Sequence, residues 1–100
     1  MDLKLISSDV AKEVLAIILN CDSFVKEKIP EDILIDLNNL AESSSLEIRI
    51  DKAKTLDEQN LSDEALDTFA LMYYLYVADD KEKDEILACW VMNDKESNNE

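Results

Sequence analysis

The chain contains no glycine, and this absence limits its backbone more than any other feature of the sequence. Glycine adopts left-handed and strained backbone conformations that other residues reach only at a cost. Phosphate-binding P-loops and the dinucleotide-binding fingerprint both depend on it. The loop of a standard EF-hand turns sharply at a glycine as well. The sequence therefore excludes three widespread ligand-binding loops.

Histidine is also absent, which removes the commonest general base and the commonest zinc ligand. The two cysteines, Cys21 and Cys89, are too few for a four-thiolate metal site and too distant in sequence for a CxxC motif. We expect them to be thiols in a reducing cytoplasm, with a disulfide between them as the lesser alternative. The residue types present predict no enzyme, no cofactor and no metal site.

The length of 100 residues and an apolar content of 47% predict one folded domain. We expect that domain to cover residues 1–92 and residues 93–100 to form a polar, disordered tail. The start of the chain shows no basic segment followed by a long apolar run. The longest apolar run, Phe69 to Ala78, is shorter than the roughly 20 residues that span a bilayer. These features predict a cytoplasmic protein that does not enter membranes.

Apolar residues recur at helical spacing in several parts of the chain and predict a mainly α fold of four to five helices. The first helix begins after Ser7 or Ser8 and is expected to end with Asn20 in a left-handed conformation, in place of the missing glycine. Pro30 suits the start of the second helix. The expected apolar stripes are Val10, Val14, Ile17 and Ile18 in the first helix and Ile33, Leu37 and Leu40 in the second.

The main helix is expected to begin at Ser62-Asp63-Glu64. Every residue from Phe69 to Ala78 is apolar or aromatic, which is typical of a helix surrounded by others, so we predict this helix at the centre of the domain. Asp79 and Glu82 have the spacing of a capping box and open a last helix. The expected core stripe of the main helix is Leu66, Phe69, Ala70, Tyr73 and Val77, and the last helix carries Ile86, Cys89 and Trp90.

Two connecting segments leave alternatives open. Residues 21–28 are either a short helix that carries Phe24 and Val25 or an ordered loop. Residues 46–51 alternate apolar and polar side chains, which is typical of a strand with Ile48 and Ile50 facing the core and Arg49 facing water. Residues 2–6 are the only other alternating segment, so the fold includes an optional two-stranded β-ribbon; the alternative is that both segments are irregular.

The chain carries 24 acids and 10 bases, for a net charge of -14, and the acids are concentrated in two stretches. Residues 31–47 contain five acids and no base, and residues 55–80 contain seven acids and no base. Some of these acids lie at helix starts, where the helix dipole stabilises them, and others keep a small protein dissolved. The functional alternative is that the acids form a surface that binds a basic protein. Such a surface would not bind nucleic acid or an anionic membrane directly, because both are negatively charged. The candidate partner-binding residues are Asp36, Glu42, Asp57, Asp63, Glu64, Asp67 and Tyr74.

Four segments carry a family resemblance: Ile29-Pro30-Glu31, Ile48-Arg49-Ile50-Asp51, Leu56-Asp57-Glu58-Gln59-Asn60-Leu61-Ser62, and the stretch from Tyr73 to Lys83. In these segments the chain resembles a group of small hypothetical proteins of Gram-positive bacteria. The resemblance implies a bacterial, cytoplasmic protein and carries no activity or binding residues with it.

Two functions are compatible with the sequence. The first is an acidic, non-catalytic protein-binding module, an inhibitor or immunity-type protein that acts on a basic partner. The second is a small self-associating structural or regulatory protein, such as a homodimer, whose acids serve solubility. The two differ in whether the acids share one face of the folded chain.

Overall fold

The computed structural model describes residues 3–21, 23–51, 54, 57–82 and 84, and the fold is mainly helical, as the sequence predicts. The α-helices are α1 (Ser8–Asn20), α2 (Ser23–Lys28), α3 (Glu31–Glu42) and α4 (Asp63–Tyr76). Short 3₁₀ turns cover Leu3–Leu5 and Asp57–Gln59, and residues 80–82 and 84 are helical too. Helix α2 settles the alternatives for residues 21–28, with Val25 buried and Phe24 half-exposed. The expected tail at 93–100 and a pairing of Cys21 with Cys89 lie outside the described residues.

Helix α1 lies at the centre of the described core, and the prediction that the main helix would be central is wrong. Helix α1 packs against α2, α3 and α4, whereas α3 and α4 contact each other little. Val14 and Ile17 of α1 are completely buried. In contrast, Leu71 and Leu75 of α4 are 53% and 54% exposed. The main helix is therefore a layer on α1 with one side open to solvent.

The buried side of α4 differs from the expected stripe. Its buried residues are Ala65, Thr68, Phe69 and Met72, while Leu66, Tyr73 and Val77 are only partly buried at the margin of the core. The apolar run covers the whole circumference of the helix, so periodicity could not indicate which side contacts α1. The helix start is as predicted, since the Ser62 hydroxyl accepts a hydrogen bond from the Ala65 N–H at 3.1 Å.

Among the described residues, the left-handed backbone position that favours glycine lies at Asn60, with φ of 55°, and not at Asn20. Asparagine tolerates the left-handed region better than most residues, which explains its use in a chain without glycine. Asn20 remains helical, and its amide donates to the Ala16 carbonyl at 3.2 Å. Cys21, which follows it, is extended. The expected left-handed stop of α1 is therefore wrong.

The described residues contain no strand, so the optional β-ribbon is not formed there, and of its two segments only residues 46–51 are irregular. Leu3–Leu5 is a 3₁₀ turn, and residues 46–51 have no strand partner. Residues two apart share a face in a strand but not in a 3₁₀ turn, so Leu3 is buried while Leu5 is 84% exposed. Ile48 is half-buried and Ile50 is 44% exposed, so the expectation that both face the core is wrong for Ile50.

Polar side chains of α1 hold the connection between α3 and α4. Asp9, Glu13 and Asn20 lie within about 40° of one another around the helix axis. Asp9 accepts a hydrogen bond from the Ser44 hydroxyl, and the Asn20 amide donates to Gln59 Oε1 at 3.2 Å. Glu13, only 9% exposed, accepts from the Ser62 N–H at 2.8 Å and from the Ser62 hydroxyl at 2.7 Å. The hydrogen bonds between Glu13 and Ser62 join α1 directly to the residue that caps α4.

The capping box predicted after α4 is confirmed. The Glu82 N–H donates to Asp79 Oδ1 at 2.9 Å, and the Asp79 N–H donates to Glu82 Oε2 at 3.4 Å. The expected apolar residues of that last helix, from Ile86 onward, lie outside the described residues. In the part of the chain that is described, no helix has both the length and the apolar character needed to cross a bilayer.

Candidate protein-binding surface

Six exposed residues of α4 lie on the side of the helix opposite its buried stripe. At roughly 100° per residue they fall within an arc of about 120° around the helix axis. The three acidic members lie in the first half of the helix and the three apolar or aromatic members in the second half. We call this surface the outer α4 face, and its members are Asp63, Glu64, Asp67, Leu71, Tyr74 and Leu75.

The helix start of α4 stabilises the negative charge of two of the three acids of the outer α4 face more than that of the third. Asp63 and Glu64 lie in the first turn, where the unpaired N–H groups of the helix start stabilise negative charge. Asp67 is one turn further, where that effect has largely faded. Among the described residues, no lysine or arginine forms an ion pair with any of the three. Asp67 is therefore the acid of this face that the helix start explains least.

The apolar half of the outer α4 face is a cluster and not a single exposed side chain. Leu71, Tyr74 and Leu75 are spaced at i, i+3 and i+4, so they are neighbours on the helix surface. Their exposed fractions are 53%, 38% and 54%. Isolated exposed apolar residues are ordinary in folded proteins, whereas adjacent ones often mark binding surfaces. Ile35 of α3, exposed to 53%, has only acids and asparagines three and four positions away along its helix.

The acids of α3 form no comparable group. Asp36 and Glu42 are both exposed, but they lie about 120° apart around the axis of α3. Glu42 borders a groove of about 270 Å³ between α1 and α3, whose lining includes Leu15 and Leu19. Asp57 opens the second 3₁₀ turn, and its side chain is outside the described part of the structure.

The structure therefore divides the seven candidate residues. It brings Asp63, Glu64, Asp67 and Tyr74 together on one face. It leaves Asp36 and Glu42 on a helix that contacts α4 little.

Tyr73 adjoins this surface and has a structural role. Burial raises the pKa of the Tyr73 hydroxyl, and the nearby Glu82 carboxylate raises it further through its charge and a hydrogen bond. The Tyr73 ring is tilted against Phe69, with the ring centroids 6.0 Å apart. Tyr73 thereby links α4 to the capping box that follows it.

A cavity of about 640 Å³ lies beneath the connection between α3 and α4, and its lining includes Glu13, Arg49 and Lys54. Glu13 is the buried acid of this lining, and Ser62 donates to both of its oxygens. Its carboxylate is thus engaged in holding α4. Within the described ranges, no three cysteine or acidic side chains are grouped closely enough to hold a metal ion.

Sequence reasoning missed Leu71 and Leu75 as surface residues and Glu13 as the link to α4. The sequence does contain an indication for the two leucines. Leu71 lies four positions and Leu75 eight positions after Asp67, which places both on the acidic side of the helix. The uniform apolar run concealed it. Glu13 gave no local signal.

Comparison of the chain with protein-family models, with curated proteins and with solved structures finds no match. The resemblance to small Gram-positive proteins stays a prediction.

Proposed function

We propose that the protein is a non-catalytic binding module for a basic protein, acting as an inhibitor or immunity-type protein. The observation that carries the proposal is the outer α4 face, where three exposed acids adjoin three exposed apolar or aromatic residues. Opposite charge accelerates association, and apolar contact slows dissociation. A surface that combines both suits a specific partner better than acids that serve solubility alone.

Self-association is the second candidate function, because Leu71 and Leu75 are exposed enough to pair with a second copy. Each copy, however, carries a net charge of -14, so two copies repel each other. Sedimentation of the purified chain at low and high salt separates the candidates. A dimer that forms only at high salt would favour self-association.

The proposal predicts a partner whose binding depends on charge. Replacing Asp36, Glu42 and Asp67 with lysine adds two positive charges per position, so the triple variant carries a net charge of -8. All three residues are exposed and lie past the first helical turn, so folding should change little. Because only Asp67 belongs to the outer α4 face, the triple variant tests steering by the acidic surface as a whole, and Asp67→Lys alone tests that face. Affinity capture from a host extract, with the retained proteins identified by mass spectrometry, should yield a basic protein that the wild type retains and the variant loses.

The association rate of that protein with the chain then provides the decisive measurement. We expect a slower rate for the triple variant and a weaker dependence on salt, because steering scales with the opposing charges. Urea unfolding of the variant serves as the control for folding. An unchanged association rate with unchanged stability would leave the acids a role in solubility only.

The proposal keeps the bacterial, cytoplasmic setting that the sequence predicts. A reducing compartment suits a chain whose two cysteines are too few for a disulfide framework.

A further inference from the structure

We infer that the outer α4 face docks an amphipathic basic helix of the partner protein. This inference rests on the proposed function and specifies the form of its partner. The partner helix places apolar side chains on Leu71 and Leu75 and directs lysine or arginine toward Asp63, Glu64 and Asp67.

The length of the outer α4 face fits a single helix. From Asp63 to Leu75 the face extends about 18 Å along the axis, at 1.5 Å per residue, which a partner helix of three to four turns covers. Acids and apolar residues occupy successive halves of this length and not opposite sides of α4. A partner that meets both halves at once therefore lies along α4 with its apolar and basic residues on one side. An amphipathic helix with a basic end has this arrangement.

The charges select a basic partner over a second copy of the chain. A two-fold contact between outer α4 faces in antiparallel orientation would direct Asp63, Glu64 and Asp67 toward the segment after Tyr76 of the other copy. That segment, residues 77–84, carries four acids and two lysines, so the acids would approach a segment of net negative charge. Nucleic acids and anionic membranes are negative as well and would be repelled by the same three residues.

A synthetic peptide of known sequence makes the inference testable before any natural partner is found. The probe is a fluorescently labelled peptide of about 14 residues, made of leucine, lysine and alanine, with leucines in one half and lysines in the other half along the same helical side. A companion of identical composition has a scrambled order, so its leucines do not share a face. Fluorescence anisotropy measures the binding of both peptides to the full chain.

The chain offers closely matched control variants. Leu71→Ser is compared with Ile35→Ser, because both residues are 53% exposed and Ile35 lies on α3. Asp67→Lys is compared with Asp36→Lys, because both acids are exposed, past the first helical turn, and change the net charge equally.

We expect the helical peptide to bind more tightly than the scrambled one. Leu71→Ser should weaken its binding about tenfold and Ile35→Ser less than about twofold, since truncation matters most at the centre of an interface. Asp67→Lys should weaken binding more than Asp36→Lys at low salt. At about 0.5 M salt the effect of Asp67→Lys should shrink while that of Leu71→Ser persists, because salt screens only the charges.

Three results would overturn the inference, and the first of them leaves the proposed function intact. One is equal binding of the two peptides with equal effects of Leu71→Ser and Ile35→Ser, which indicates attraction by charge alone. A second is a dimer of the wild-type chain that Leu71→Ser dissociates, since a second copy then covers the face. A third is a much larger loss of urea stability in Leu71→Ser than in Ile35→Ser, since the chain itself then covers Leu71.

Failure of the proposed function gives a different result. If neither peptide binds the wild-type chain at low salt, its acids do not attract a basic partner, and both proposals fail together.

Discussion

Replacing Glu13 with alanine tests how α1 holds the start of α4. The Glu13 carboxylate is 9% exposed and accepts two hydrogen bonds from Ser62, at 2.8 Å from the N–H and at 2.7 Å from the hydroxyl. Ser62 is also the cap of α4, so these bonds connect two helices through one residue. The substitution removes both bonds without touching the cap itself.

The expected loss of stability follows from these contacts. A hydrogen bond to a charged group contributes about 1.5–3 kcal/mol to stability. Ser62 is exposed, so water replaces part of what its N–H and hydroxyl lose. Removing the carboxylate also relieves the cost of burying it. We therefore expect Glu13→Ala to lower the free energy of unfolding by about 2–3 kcal/mol, out of a total of about 5–15 kcal/mol for a domain of this size.

Urea unfolding followed by circular dichroism measures this loss. Glu27→Ala is the control, because Glu27 is an exposed glutamate of α2, and it should change stability by less than about 0.5 kcal/mol. Glu13→Gln keeps an acceptor for the Ser62 N–H and should lose less than Glu13→Ala. In a double-mutant cycle, Glu13→Ala and Ser62→Ala should couple by about 1–2 kcal/mol. Additive effects, or a Glu13→Ala variant as stable as Glu27→Ala, would refute the link between α1 and α4.

Three further predictions address other parts of the fold. Phe69→Ala should cost about 3–5 kcal/mol in urea unfolding, because Phe69 is buried in the core; wild-type stability would contradict its placement there. Asn60→Gly should be nearly neutral, whereas Asn60→Val should cost about 1–2 kcal/mol at the positive φ; equal stabilities would argue against that conformation. The raised pKa of Tyr73 means that the native state favours the protonated hydroxyl. That contribution is present below pH 10.0, the ordinary value, and is lost as pH rises through the raised pKa. Urea midpoints of the wild type should therefore fall more steeply above that pH than those of Tyr73→Phe, and parallel curves would contradict the role of Tyr73.

The candidate surface was predictable in part. The acids Asp63, Glu64 and Asp67 stand out in the sequence because no base interrupts them. Leu71 and Leu75 do not stand out, because their neighbours are apolar on every side of α4. Only the packing of Ala65 and Met72 toward the core shows which leucines remain on the surface.

The sequence by itself determined where α1, α3, α4 and the helix after Asp79 begin. The caps at Ser7 and Ser62 and the box of Asp79 with Glu82 each join groups three residues apart. Such contacts depend on local chain geometry alone, so the order of residues is enough to predict them.

Only the tertiary structure decided which helix is central, where the left-handed residue lies, and which side of α4 faces solvent. Glu13 and Ser62 are 49 positions apart, so nothing local indicates that they meet. An all-apolar run can bury any of its sides, and the choice depends on which neighbour offers a complementary surface. Helix α1 packs against both α3 and α4. Because α4 buries the side that contacts α1, the acids and leucines of the outer α4 face remain in contact with solvent.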